Sequence, residues 1–136
     1  MEQIRVNATL TNAMDEILVR RNESPESALR KVDVYAIADE SSVRSMIPES
    51  IRSGLGVLKR RVCRAELGNG QWELVELVSP IVFDVMGRDT IDEAIVYGDE
   101  VVIGRTVINK LDLFADCVNR RLIPNPAHPD QPVSKV

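Results

Sequence analysis

The chain has 136 residues, which suits one domain with one core. Hydrophobic residues at 44% exclude wholesale disorder, and aromatics at only 4% leave the core to Val, Ile, Leu and Ala, many of them β-branched and suited to strands. The formal net charge of -4 argues against a nucleic-acid binder, which needs a basic face, and no apolar run approaches the roughly 20 residues that span a bilayer.

Residues 4–10 alternate apolar and polar side chains, the period of a half-buried strand. Residues 11–15 then read as a turn and residues 17–19 as a returning strand, which predicts a β-hairpin. Residues 22–27 form a polar loop punctuated by Pro25 and Ser27. Residues 32–38 are an apolar-rich run that ends at Asp39 in a Ser-rich turn. Residues 48–56 read as one or two helical turns, with Pro48 opening them and Gly56 closing them. Residues 61–67 and 71–78 are strand-like and flank Gly68, Asn69 and Gly70, which tolerate positive φ and predict a hairpin. Residues 81–85 predict another strand, and residues 95–97 a further one before the Gly98-Asp99 turn. Residues 101–103 run into Gly104, after which Val107, Ile108, Leu111, Leu113 and Phe114 fall at near-helical spacing. Four prolines between Pro124 and Pro132 bar the tail from a regular helix or a central strand. Seven or more short strands with frequent turns predict a sandwich or barrel.

Few residues offer chemistry. Cys63 and Cys117 lack CxxC spacing and read as reduced thiols in or near the core. The single histidine, His128, has no second His or Cys nearby, so no metal site is expected. It also leaves Ser41, Ser42 and Ser45 without a base to activate them. The basic pairs and triplets at Arg20-Arg21, at Lys59-Arg60-Arg61 and at Arg120-Arg121 read as solvated surface. Asp84, Asp89, Asp92, Glu93, Asp99 and Glu100 show no ligand spacing and read as solvated loop charge. The polar start has no apolar signal region, and the default setting is cytoplasmic.

Two segments carry a family resemblance. Ala36, Ile37, Ala38, Asp39, Glu40, Ser41 and Ser42, followed by Met46, Ile47, Pro48, Glu49 and then Gly54, Leu55, Gly56, resemble the active-site region of retropepsin-like aspartic peptidases. There a hydrophobic strand leads into Asp-Thr-Gly or Asp-Ser-Gly, then Leu-Pro-Glu and Leu-Gly. Val102, Ile103, Gly104 and Arg105, followed by Leu111, Asp112 and Leu113, resemble the later apolar-apolar-Gly element that packs behind the catalytic loop. Residues 119–126 are similar to the closing strand and tail of bacterial single-domain members.

The resemblance implies an all-β fold, a small closed β-barrel of the retropepsin-like acid protease type with one or two short helices. It implies one domain over residues 1–126 and a Pro-rich tail over 127–136. It implies a homodimer acting on a peptide or protein, with no cofactor, no metal, no nucleic acid and no membrane partner. Asp39 matches the catalytic aspartate, Glu40, Ser41 and Ser42 its loop, and Val102, Ile103 and Gly104 the loop support. The hairpin around Gly68, Asn69 and Gly70, with Trp72 beyond it, matches the flap by order. An ordinary surface hairpin and a packing Trp72 are the alternative. An Asp between a strand and serines is also a common turn residue or cap.

The triplet departs from the family. Glu40 lacks the hydroxyl of Thr or Ser and, when ionised, only accepts. Two copies would gather four acids, which repel unless protonated or bound by a cation. A Cβ at Ser41 stands where the family has Gly, close to neighbouring backbone. The readings are an aspartic endopeptidase homologue, with its activity kept, reduced or lost, and a non-catalytic dimeric peptide- or protein-binding module. A cation or basic-partner site at the acids is a third.

Overall fold

The computed structural model describes residues 3–136. Strand β1 (Ile4–Asn12) buries Ala8 and Leu10 on one side, as its alternation predicts. It pairs antiparallel with β2 (Lys31–Ala38), from Ile4↔Ala38 to Thr11↔Lys31. The expected hairpin after β1 is absent, and helix α1 (Ala13–Arg20) takes its place. The physical reason is Asn12. Its side-chain oxygen accepts from the Met14 and Asp15 amides at 2.9 and 3.1 Å, capping two of the helix's unpaired donors. Asp15 and Glu16 follow in the first turn, where the helix dipole favours acids. A three-residue apolar run such as Ile17-Leu18-Val19 does not by itself distinguish strand from helix. The polar loop that follows holds a 3-10 turn at Glu26–Ala28.

Past β2 come β3 (Ser45–Ile47) and α2 (Glu49–Leu55), the latter opened by Pro48 and closed by Gly56 at φ 66°. The hairpin is β4 (Leu58–Glu66) and β5 (Trp72–Val85). The two separate strands expected over 71–78 and 81–85 are one continuous strand. Strand β6 (Arg88–Val96) begins well before the expected 95–97, so Asp89, Asp92 and Glu93 are strand residues, and Asp84 lies in β5. Asp92 accepts from the Thr106 hydroxyl at 2.8 Å, and Glu93 pairs with Arg44. Strand β7 (Val102–Ile103) leads into α3 (Arg105–Lys110). That helix stops short of Leu113 and Phe114, because Asp112 adopts a left-handed backbone at φ 56° and ends it. Asp tolerates that region better than most side chains. Strands β8 (Leu113–Asp116) and β9 (Arg121–Pro124) then form a small hairpin of their own.

Among the described residues six strands close a ring, β1-β2-β7-β3-β6-β5 and back to β1. Strand β5 makes this closure possible. One of its edges pairs with β6 from Leu77 to Val85. Its other edge pairs with β4 up to Ser79, and then with β1 from Ile81 to Asp84. The change of partner falls at Pro80, which has no N–H to give to either strand. Inside the ring lie Leu10, Ile47, Val78, Ile81, Phe83 and Ile103, all fully buried, and α2 and α3 add Leu55 and Ile108. The β class and the closed sheet follow the expectation, with three helices rather than one or two.

The tail is fastened to Asp112. The Asn125 side chain donates to its carboxylate at 2.9 Å, the Val133 amide at 3.1 Å, and His128 Nδ1 lies 2.6 Å from it. Buried Arg88 reaches the carbonyls of Leu111, Asp112 and His128. The Asn125 side chain first, with the Val133 amide and His128, draws the Asp112 carboxyl from its usual 3.8 down to about 2.

Two outcomes are expected. Asn12→Ala removes the helix cap and leaves the Leu55 carbonyl, now bonded by Asn12 Nδ2 at 2.8 Å, without its donor. Urea denaturation should show a loss of about 2–3 kcal/mol; a loss too small to resolve would show that the cap is not what starts α1. The second concerns pH. Asp112 is held ionised more firmly in the folded chain than in the unfolded one. Its stabilisation is therefore full above the unfolded value and is lost as pH falls from about 4 towards 2. Asp112→Asn should flatten the melting temperature across that window relative to wild type.

Candidate functional site

Asp39 is the first residue beyond β2. Strand β2 runs parallel to β7, with Ile37↔Val102 and Ala38↔Ile103 in register. The Asp39 amide extends this ladder by donating to the Ile103 carbonyl at 3.0 Å. The loop then folds back on its own carboxylate. The Ser41 amide and the Ser41 hydroxyl both donate to Asp39 Oδ1, at 2.9 and 2.6 Å. The Cβ at Ser41 therefore does not prevent this amide from reaching the aspartate of the same chain. Both donors orient the carboxylate, leaving Oδ2 uninvolved in the loop's own bonds.

The far side of the loop is sewn to the start of α3. The Arg105 amide donates to the Ser42 carbonyl at 2.7 Å and the Thr106 amide to the Val43 carbonyl at 3.2 Å. The Gly104 amide donates to the hydroxyl of fully buried Ser45 at 2.9 Å. This close stitching depends on Gly104 having no side chain. A Cβ there would sit 2.5 Å from the Arg44 carbonyl carbon and oxygen and 2.8 Å from the Ser45 nitrogen. Those are backbone atoms and cannot rotate away. Gly104→Ala should therefore cost about 1–3 kcal/mol by overpacking, read as a lower urea midpoint. A variant as stable as wild type would show that the loop and the β7–α3 corner separate freely.

A cleft of about 430 Å3 opens beside the carboxylate. Asp39, Ser41 and Ser42 form one side, with Met46 and Tyr97. Glu66, Leu67 and Gly68, at the tip of the β4–β5 hairpin, form the other. The loop and the hairpin, more than twenty residues apart in sequence, are thus the two walls of one space. Asn69, Gly70 and Trp72 do not line it. Trp72 lies half-exposed on the hairpin face shared with Arg64 and Leu74, and the Arg64 guanidinium stacks 3.8 Å from its ring centre. Glu40 is exposed. Val102 is partly buried and Ile103 fully, beneath the loop.

The remaining candidates find other employment. The Ser42 hydroxyl donates to the Arg44 carbonyl at 2.7 Å, and Ser45 is engaged by Gly104. His128 belongs to the Asp112 clasp. Cys63 is half-buried on β4, and Cys117 is exposed in the β8–β9 turn, so neither thiol lies in the core.

No protein-family model matches the chain, and no curated protein matches it either. Solved structures do. The solution structure of the Simian Foamy Virus (mac) protease matches with TM-score 0.50 and 12% identity, covering 79% of this chain and 93% of that one. A foamy viral protease-reverse transcriptase, solved with an RNA/DNA hybrid, matches at TM-score 0.51 and 14% identity over 79% of this chain and 12% of that one. The retroviral protease-like domain of Ddi1 from Leishmania major matches at TM-score 0.56 and 13% identity, over 92% and 86%.

The fold is retropepsin-like. Met46, quoted with the Asp39 segment in the sequence analysis, lines the space beside Asp39, and Tyr97, which no sequence signal pointed to, lines it too. Met46 lies in β3 and Tyr97 just after β6, strands that pair in the ring, and only its closure brings them beside Asp39. Arg61 and Arg64 carried a signal, a run of basic residues on a strand of the hairpin, but it reads equally as solvated charge.

Proposed function

We propose that the chain is a homologue of retropepsin-like aspartic peptidases that works as a homodimer, with its substrate held between the Asp39 loop and the β4–β5 hairpin. The observation that carries this reading is the shared cleft. The aspartate that follows β2 and the tip of a hairpin line one space in a retropepsin-like fold. In the dimer two Asp39 carboxylates face each other and share a proton, because like charges so close do not both ionise. One takes a proton from a water, and the water attacks the peptide carbonyl. The other polarises that carbonyl. The hairpin excludes solvent as a flap does. Water and two carboxylates suffice for this chemistry, and free thiols suit a cytoplasmic setting.

A second reading is a dimeric module that binds a peptide without cutting it. The altered triplet favours it. The Ser41 hydroxyl occupies Asp39 Oδ1 at 2.6 Å, and Glu40 would bring two further acids to the dimer axis. The decisive measurement is solution mass followed by peptide-library cleavage from acidic to neutral pH, with Asp39→Asn alongside. The peptidase reading expects a dimer whose cleavage falls at least about a hundredfold in the variant. A dimer that binds peptides but cuts none selects the binding module. A strict monomer overturns the paired-aspartate mechanism.

A further inference from the structure

Glu40 raises a problem that a single chain does not solve. In the proposed dimer two copies would set two further acids beside the two Asp39 carboxylates, and like charges so close repel. Relief requires a cation, and three arginines border the loop. Arg5, opposite Ile37 in the β1–β2 ladder, pairs with Glu100 at 2.8 Å. Arg44, where the loop runs into β3, pairs with Glu93. Arg105 has no ion-pair partner among the described residues, and neither has Glu40.

The backbone fixes where Arg105 stands. Its amide donates to the Ser42 carbonyl at 2.7 Å, two residues beyond Glu40, and the preceding Gly104 is pressed against Arg44 and Ser45. Next to it the Thr106 amide donates to the Val43 carbonyl, and the Val43 side chain is 51% exposed. One junction thus shows an acid, an apolar side chain and a base to the outside. The acid and the base do not pair within the chain, although the loop and the start of α3 are bound together.

We infer that this junction is a contact between two copies of the chain, in which Glu40 of each pairs with Arg105 of the other. The inference rests on the reading of the chain as a homodimer with paired aspartates and names the surface that such a dimer uses. Two Asp39 carboxylates meet only if their loops do, so that mechanism itself brings a second copy to this place. A two-fold axis sets one patch against the same patch. A patch that carries one uncompensated acid and one uncompensated base is then self-complementary, and each pair is made twice. Two guanidinium groups at the axis offset the charge of two Glu40 carboxylates and leave the aspartates to their shared proton. Val43 loses exposed apolar area in the same contact. Glu40 and Arg105 are both exposed and hydrated in the free chain, so the pairs fix the orientation of the two copies more than they add affinity.

The test uses the full chain and sedimentation equilibrium at about 0.1 M NaCl, where surface charges still act over roughly 10 Å. Circular dichroism confirms that each variant is folded. Glu40→Arg and Arg105→Glu should each weaken the dimer at least about tenfold, because a reversal turns two attractive contacts into two repulsive ones. The two reversals together should bring the dissociation constant back to within about threefold of wild type, a recovery that damage to the fold would not give. Arg105→Gln removes the attraction without adding repulsion and should weaken the dimer about threefold. These differences should shrink near 0.5 M NaCl. A dimer indifferent to both reversals overturns the inference and leaves the homodimer standing. A dimer weakened by each reversal and not restored by the two together overturns it as well. A strict monomer at every concentration overturns the homodimer reading and the inference with it.

Discussion

The approach of Gly104 to the backbone of Arg44 and Ser45 is the constraint on which the site depends. At this point β7 ends, α3 begins and the Asp39 loop passes beneath both. Five hydrogen bonds cross or brace this junction, from the amides of Asp39, Gly104, Arg105 and Thr106 and from the Ser42 hydroxyl. A Cβ at Gly104 would press on the Arg44 and Ser45 backbone at 2.5–2.8 Å and force the two backbones that carry these bonds to shift. The backbone at Gly104 is otherwise extended, at φ -89° and ψ 177°, so its requirement is for space and not for an unusual conformation. Unpaired amides buried at such a crossing would each cost free energy, and the stitching removes that cost while it fixes where the Asp39 carboxylate points.

The second requirement is that something stand opposite the loop. Strand β5 meets it by being longer than the ring needs. Its second half closes the ring against β1, and its first half leaves the ring with β4 as a two-stranded arm. The register shifts between Lys59 and Arg61 and between Val78 and Ile81 fall where the arm departs, as expected where a sheet must bend and twist. The arm's far end, Glu66 to Gly68, returns to the Asp39 loop. Closure of the core and placement of the hairpin are thus one event in the folding of β5.

Much of this was legible in the sequence and some was not, for physical reasons. Strands with one clear inward face, such as β1 and β2, declare themselves by alternation. The Asp39 loop and the Val102-Ile103-Gly104 element were found together by resemblance, because each is a short motif whose partner has a fixed place. Helix α1 was misread, although Asn12 followed by Asp15 and Glu16 is a start signal for a helix; the β-branched residues Ile17 and Val19 outweighed it. Most of β6 was hidden because Asp89, Asp92 and Glu93 are poor strand formers that tolerate the position on a solvated or ion-paired face. The cleft's other walls could not be read at all. Met46 and Tyr97 become neighbours of Asp39 only through ring closure, and no local pattern records that.

The Asp39 loop orients its own carboxylate with a side chain present at Ser41. In one chain the Ser41 amide reaches Asp39 as a glycine's amide would, so the backbone arrangement survives the extra Cβ. The hydroxyl that comes with that Cβ is new, and it adds a second donor to the same oxygen. Two donors on Oδ1 fix the direction of the carboxylate and leave Oδ2 outside the loop's own bonds. In the proposed dimer, the Ser41 hydroxyl on Oδ1 and the exposed Glu40 are the two features on which cutting a peptide or only holding it would turn.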